Sequence, residues 1–135
     1  MRDCVFCKII RGEIPSRKLY EDGKFVVILD KFPGNPGHAL VIPKEHAENL
    51  LDLPDETAAG VLPLAKRVAA ALDKALAPVG INILQNNGAA VGQSVMHYHL
   101  HVVPRFDGDS YRFGWRPAEV PGDELNRLAA RIGAI

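Results

Sequence analysis

A chain of 135 residues with 47% apolar and 24% charged residues is long enough to bury one hydrophobic core, and a single domain over 1–135 is expected. Sixteen Lys+Arg balance sixteen Asp+Glu, which excludes a global basic field for nucleic acid or an anionic membrane but leaves room for a local anion pocket. No apolar run approaches the ~20 residues that cross a bilayer. The N-terminus also lacks the basic-then-apolar order of a secretory signal, so a soluble, cytoplasmic protein with neither nucleic-acid nor membrane partners is expected.

In chain order, the first feature is Cys4-x-x-Cys7, which contains the only two cysteines. In a reducing compartment this spacing favours metal ligation or redox chemistry over a structural disulfide. Cys4 to Arg11 reads as a short helix stopped by Gly12. Leu19–Glu21 and Phe25–Asp30 read as two strands around the turn Asp22-Gly23. Residues 32–37 hold two prolines and two glycines, cannot continue a ladder, and form a loop into a strand from His38 to Pro43.

From Pro54 to Ala77 the apolar residues Ala58, Val61, Leu62, Ala65, Val68, Ala69, Leu72 and Leu76 recur at steps of three and four, the period of an amphipathic helix. Pro54, Asp55 and Glu56 suit its first turn. Pro63 predicts a kink or a late start. Gly80–Gln85 and Val95–Pro104 read as strands, and a last amphipathic helix runs from Asp123 to Ile132. The sum is an α+β domain with an antiparallel sheet.

His97, His99 and His101 alternate along the last strand, which would place three imidazoles on one face about 7 Å apart. Tyr98, Leu100 and Val102 would then point the other way, into the core. If the 38–43 strand lies alongside, His38 joins them. By pattern alone such histidines are structural, zinc ligands or a nucleophile with its helpers, and context has to decide. Upstream, residues 86–94 form a loop of small, amide and hydroxyl residues whose exposed amides can cradle phosphate oxygens.

The string from Gly92 to Val103 resembles the histidine-triad (HIT) signature, in which three histidines alternate with apolar residues. Cys4–Ile10, Gly12–Pro15, Pro36–His38 and Val41–His46 resemble segments of its Hint branch, in the same order. The resemblance implies a HIT-like fold with a sheet of about five strands, one long helix and short terminal helices. It also implies a homodimer, with helix 54–77 as a candidate interface element.

For chemistry, the resemblance implies that His99 attacks the α-phosphorus of a nucleoside 5′-phosphate derivative, giving a nucleotidyl-histidine. His101 would face the phosphate or leaving group as a donor, while His38 and His97 orient the nucleophile. Asn86, Gly92 and Ser94 would contact phosphate, Asp30 the ribose hydroxyls, and Ile14 and Ile28 the purine. Cys4, Cys7, His46 and His97 resemble the ligands of a structural zinc in bacterial members, and no catalytic metal is expected.

The implied reaction is hydrolysis of purine nucleoside 5′-phosphoramidates. The alternatives are cleavage of a dinucleoside polyphosphate or a nucleotidyl sulfate, or a regulatory or scaffold role for a purine-nucleotide-binding protein. Animal relatives carry a C-terminal tryptophan that crosses the dimer. Here Trp115 is followed by a helical pattern, and that role does not transfer to it.

Overall fold

The structure, a computed structural model, describes residues 3–112 and 114–135. Its elements are α1 (Val5–Ile10), β1 (Lys18–Glu21), β2 (Phe25–Leu29), β3 (Ala39–Pro43), α2 (Asp55–Leu76), β4 (Gly80–Leu84), a 3₁₀ turn (Ala89–Val91), β5 (Leu100–Arg105) and α3 (Gly122–Ile132). The strands form one sheet in the order β1-β2-β3-β5-β4, with antiparallel pairing throughout. This is the expected α+β architecture. Among the described residues no helix is long and apolar enough to cross a membrane.

The hairpin between β1 and β2 turns where the sequence places it. Asp22 Oδ1 accepts from the amides of Lys24 and Phe25, both at 2.7 Å, closing the turn with a side chain. Residues of alternate parity on the central strands feed two separate apolar clusters. Phe25, Val27, Ala39, Val41, Leu100 and Val102 pack against α2, while Val26, Ile28, Leu40 and Ile42 pack with Phe6 and Ile9 of α1. Val26, Val27, Val41, Ile42 and Val102 are wholly buried. Each contributes roughly 1.5–3 kcal/mol of transfer free energy.

Helix α2 starts at Asp55 and runs unbroken through Pro63, so the late start is corrected. Pro63 and the preceding-turn residue Ala59 both lie on the exposed side, where water can take the carbonyl that proline leaves without a donor. Leu62 is also corrected: it is 62% exposed, and Leu64 takes the core position beside Val61, Ala65, Val68 and Leu72. Leu62 sits about 100° round the helix from Val61, off the buried stripe. Leu76, in the last turn, is 42% exposed.

The histidine strand is the main correction. Its ladder begins at Leu100 instead of Val95, and His97 and His99 lie in the approach to it. β5 pairs with β3 through Val41↔Leu100, Leu40↔His101 and Ala39↔Val102. Two residues further, that register would set Tyr98 against Pro43, which has no N–H to continue the ladder. The chain turns elsewhere for partners, and the Tyr98 amide donates to the Ala47 carbonyl at 2.7 Å. Tyr98, Leu100 and Val102 still face the α2 core as the alternation predicts.

Gly37, the residue before His38, has φ +93°, and a Cβ there would lie 2.5 Å from Leu76 Cδ1 and 3.1 Å from Pro104 Cγ. Gly37→Ala is therefore expected to destabilise the fold by roughly 1–3 kcal/mol. The check is a urea titration, in which the midpoint should fall with an unchanged slope.

Candidate active site

The site is built where β3, β5 and the approach to β5 meet under α1. His101 is the second residue of β5, opposite Leu40, and so stands on the α1 side of the sheet. His38 immediately precedes β3. Its carbonyl accepts from the Asp30 amide at 2.9 Å, which ties the end of β2 to the site. The His38 and His101 ring centroids are 5.1 Å apart, and those of His99 and His101 4.9 Å. Phe6 from α1 closes the far side, edge-on to His99 at 5.0 Å.

Hydrogen bonds assign the proton on each ring, because a neutral imidazole has one donor and one acceptor nitrogen. His99 Nδ1 lies 2.7 Å from the His97 carbonyl, which can only accept, so Nδ1 carries the proton and Nε2 keeps a bare lone pair. The Gly34 amide donates to His38 Nδ1 at 2.9 Å, so the His38 proton is on Nε2. From there it points to His101 Nδ1, also at 2.9 Å, which leaves the His101 proton on its own Nε2. One bare ring nitrogen and one N–H donor thus sit on adjacent rings.

Burial keeps these rings neutral. His99 is pushed below the usual 6.5 by desolvation, against the raising effect of the His97 carbonyl and Asp30. His38 is lowered by burial, with Asp30 opposing. His101 is pushed down to about 4 by burial and by its histidine neighbours. Asp30 Oδ1 accepts from the Phe32 amide at 2.9 Å, and Oδ2 stands 3.7 Å from His38 Nε2.

The other expected substrate residues fall into two groups. Ile28 is buried beside Phe6, and half-buried Ile14 packs against the same cluster. Asn86 and Gly92 meet across the loop, Asn86 Nδ2 donating to the Gly92 carbonyl at 3.3 Å. Ser94 is exposed, in a cleft it lines with Cys4, Val5, His46 and Met96. Gln93 was not singled out from sequence, yet it is buried and holds this loop. Its Oε1 accepts from the Gly88 amide, and its Nε2 donates to the carbonyls of Glu48 and Val95. Its neighbours in sequence are as polar as it is, so only packing distinguishes it.

His97 belongs to a second cluster. Its Nε2 donates to the Pro43 carbonyl at 2.7 Å, leaving Nδ1 free to face Cys4, Cys7 and His46. Cys4 Sγ and Cys7 Sγ lie 3.4 and 3.6 Å from that nitrogen, and His46 Nδ1 lies 3.4 Å from Cys7 Sγ and 3.1 Å from His97 Nδ1. All four ligand atoms fall within 4.8 Å of one another, so these residues can hold a metal ion. A second group, Asp30, His38 and His101, is also close enough. There the Gly34 amide commits His38 Nε2 to being a donor, which works against ligation.

Comparison with known proteins agrees with this geometry. A family model described as HIT domain matches residues 11–108. The adenosine 5′-monophosphoramidase hnt1 of Schizosaccharomyces pombe is 41% identical over 133 residues, 97% of this chain and 96% of that one. The adenylylsulfatase HINT3 of Arabidopsis thaliana is 46% identical over 107 residues, 79% of this chain and 54% of that one. A zinc-bound histidine triad family protein from Mycobacterium smegmatis superposes with a TM-score of 0.78 at 44% identity, covering 94% of this chain and 90% of its own. With the triad, its neighbouring strand and the matched segment in register, the chain belongs to the HIT domain family.

Proposed function

We propose that the protein is a nucleotide hydrolase that cleaves purine nucleoside 5′-phosphoramidates through a nucleotidyl-histidine. The observation that carries this reading is the fixed pair of tautomers: a bare Nε2 on His99 next to an N–H on His101 Nε2. The relationship to the fission-yeast monophosphoramidase supports the substrate class.

In this reading His99 Nε2 forms a bond to the α-phosphorus while the P–N bond to the amine breaks. The positive charge developing on the imidazole is stabilised through Nδ1–H by the His97 carbonyl. An amine departs poorly as an anion, so it takes a proton from His101 Nε2 as it leaves, and a solvent proton taken up with the anionic substrate keeps His101 from being left as an imidazolate. Water then attacks phosphorus, returns a proton to His101 and frees the nucleoside monophosphate and His99. Asp30 would hold the ribose hydroxyls, Ile14 and Ile28 the purine, and Asn86, Gly92 and Ser94 the phosphate oxygens. The protein would work as a homodimer, for which exposed Leu62 on α2 and Ile83 on the edge strand β4 offer apolar surface.

A zinc ion held by Cys4, Cys7, His46 and His97 is part of the proposal. Tetrahedral zinc with bonds of ~2.0–2.1 Å to nitrogen and ~2.3 Å to sulfur has N···N edges of about 3.3 Å and N···S edges of about 3.5 Å. The S···N separations of 3.4, 3.4 and 3.6 Å and the N···N separation of 3.1 Å fit that frame. Bound there, zinc would be structural, tying α1 to His97 and so to the carbonyl behind the nucleophile.

A second reading, in which the leaving group is sulfate, is favoured by the similarity to the Arabidopsis adenylylsulfatase. Sulfate leaves as an anion and needs no proton, so the two readings differ at His101.

Four outcomes are expected. His99→Ala should lose roughly 10⁴-fold or more in kcat on adenosine phosphoramidate. Wild type quenched during turnover should carry an AMP-sized adduct on His99 by mass spectrometry; an adduct elsewhere would end the proposal. His101→Ala should cost roughly 10²-fold or more on the phosphoramidate but far less on adenylyl sulfate, measured side by side. Cys7→Ser should lose bound zinc by elemental analysis and melt roughly 10 °C lower, while keeping more activity than His99→Ala.

A further inference from the structure

The His38 tautomer rests on one backbone amide, that of Gly34, and Gly34 has a close neighbour from outside the triad. A Cβ on Gly34 would fall 2.6 and 2.7 Å from Cδ2 and Cε2 of Tyr111, so the Tyr111 ring lies close against the glycine. Gly34 is not in the left-handed region, so the absent side chain makes room for the ring. The same virtual Cβ is 3.6 Å from His38 Nδ1, so the Tyr111 ring and the His38 imidazole both lie close to Gly34.

Tyr111 is itself anchored from β5. The Arg105 guanidinium lies 4.6 Å from the Tyr111 ring centroid, and Arg105 Nη2 donates to the Tyr111 carbonyl at 3.0 Å. Arg105 also forks onto Asp109, with Nε at 2.9 Å and Nη2 at 2.8 Å, and its Nη1 reaches Asn82 Oδ1 of β4. Asp109 Oδ2 in turn accepts from Asn35 Nδ2 at 2.7 Å, and the Asn35 carbonyl accepts from the His38 amide at 3.0 Å. Buried Asn35 also donates to the Pro104 carbonyl. The segment following β5 is thus fastened to the 32–37 loop at Gly34 and at Asn35.

We propose that Tyr111 is a positioning residue: by covering Gly34 it keeps the Gly34 N–H on His38 Nδ1, and so sets the proton relay His38 to His101. Without the ring, Gly34 is free to turn its amide to solvent. His38 then adopts the other tautomer in part of the population, accepts from His101 instead of donating to it, and His101 loses the Nε2 proton that the leaving amine takes. The nucleophile His99 is untouched, since its own proton is held by the His97 carbonyl. Tyr111 thereby affects the chemical step and leaves nucleotide affinity alone. The inference rests on the proposed leaving-group role of His101, but the state of His38 is measured without substrate.

The test compares Tyr111→Ala with Tyr111→Phe in the full chain. Long-range proton–nitrogen NMR of the ligand-free protein should show a single His38 tautomer with Nε2 protonated in wild type and Tyr111→Phe, and a mixture in Tyr111→Ala. Kinetics on adenosine phosphoramidate should show kcat lower by roughly 10-fold or more in Tyr111→Ala with KM unchanged, and wild-type values in Tyr111→Phe. If Tyr111→Ala does not fold, Asp109→Asn, which loosens the Arg105 anchor that holds the ring against Gly34, should give the same mixed tautomer and lowered kcat, and an unchanged tautomer there overturns the proposal. An unchanged His38 tautomer in the alanine variant overturns the proposal. An altered tautomer with unchanged kcat instead removes His101 from the leaving-group role.

Discussion

Pro43 is the point from which the site is organised. It ends β3, and its missing N–H halts the β3–β5 ladder just where Tyr98 would have paired with it. Its carbonyl remains an acceptor, and His97 Nε2 takes it at 2.7 Å. That single bond fixes the plane of the His97 ring, turns Nδ1 toward the two cysteines and His46, and leaves the His97 main-chain carbonyl free of strand pairing. His99 Nδ1 then claims that carbonyl. A regular strand through residues 97–99 would have consumed main-chain acceptors in the ladder and left the His99 tautomer undecided.

The four clustered imidazoles that result are an electrostatic problem with one solution. Packed this closely and largely out of water, they cannot share several positive charges, and desolvation holds His38, His97, His99 and His101 below the ordinary histidine value. Neutral rings carry one proton each, so each partner atom dictates where the proton sits. Backbone groups supply those partners: Pro43 O, His97 O and Gly34 N. The arrangement needs no charged side chain closer than Asp30, at 3.7 Å from His38.

The cluster of Cys4, Cys7, His46 and His97 shares His97 with the triad but uses a different part of it. The His97 side chain faces the cysteines and its carbonyl holds His99 Nδ1, so the two clusters are joined by one residue instead of a long network. On the opposite flank the Arg105–Asp109 pair does a similar job for His38 through Asn35 and Tyr111. Arg105 holds the Asp109 carboxyl far below the usual carboxylate range, so this anchor stays charged across the pH range in which histidines titrate. Both flanks act on main-chain geometry, which is stiffer than any side chain reaching in from the surface.

Much of this was legible in the residues themselves. Periodicity located α2 between Pro54 and Ala77, the Asp22-Gly23 turn located the first hairpin, and the alternation of His97, His99 and His101 separated site from core, because these signals are local and depend only on helical or pleated repeat. The resemblance carried by residues 92–103 pointed to the chemistry. Tertiary structure alone decided that the histidine strand starts at Leu100, since that follows from a proline on a different strand. It also decided that Leu62 faces out, that Gln93 locks the 86–94 loop, and that Tyr111 lies on Gly34. Each of those depends on which residues meet after distant segments pair, and spacing along the chain holds no record of that.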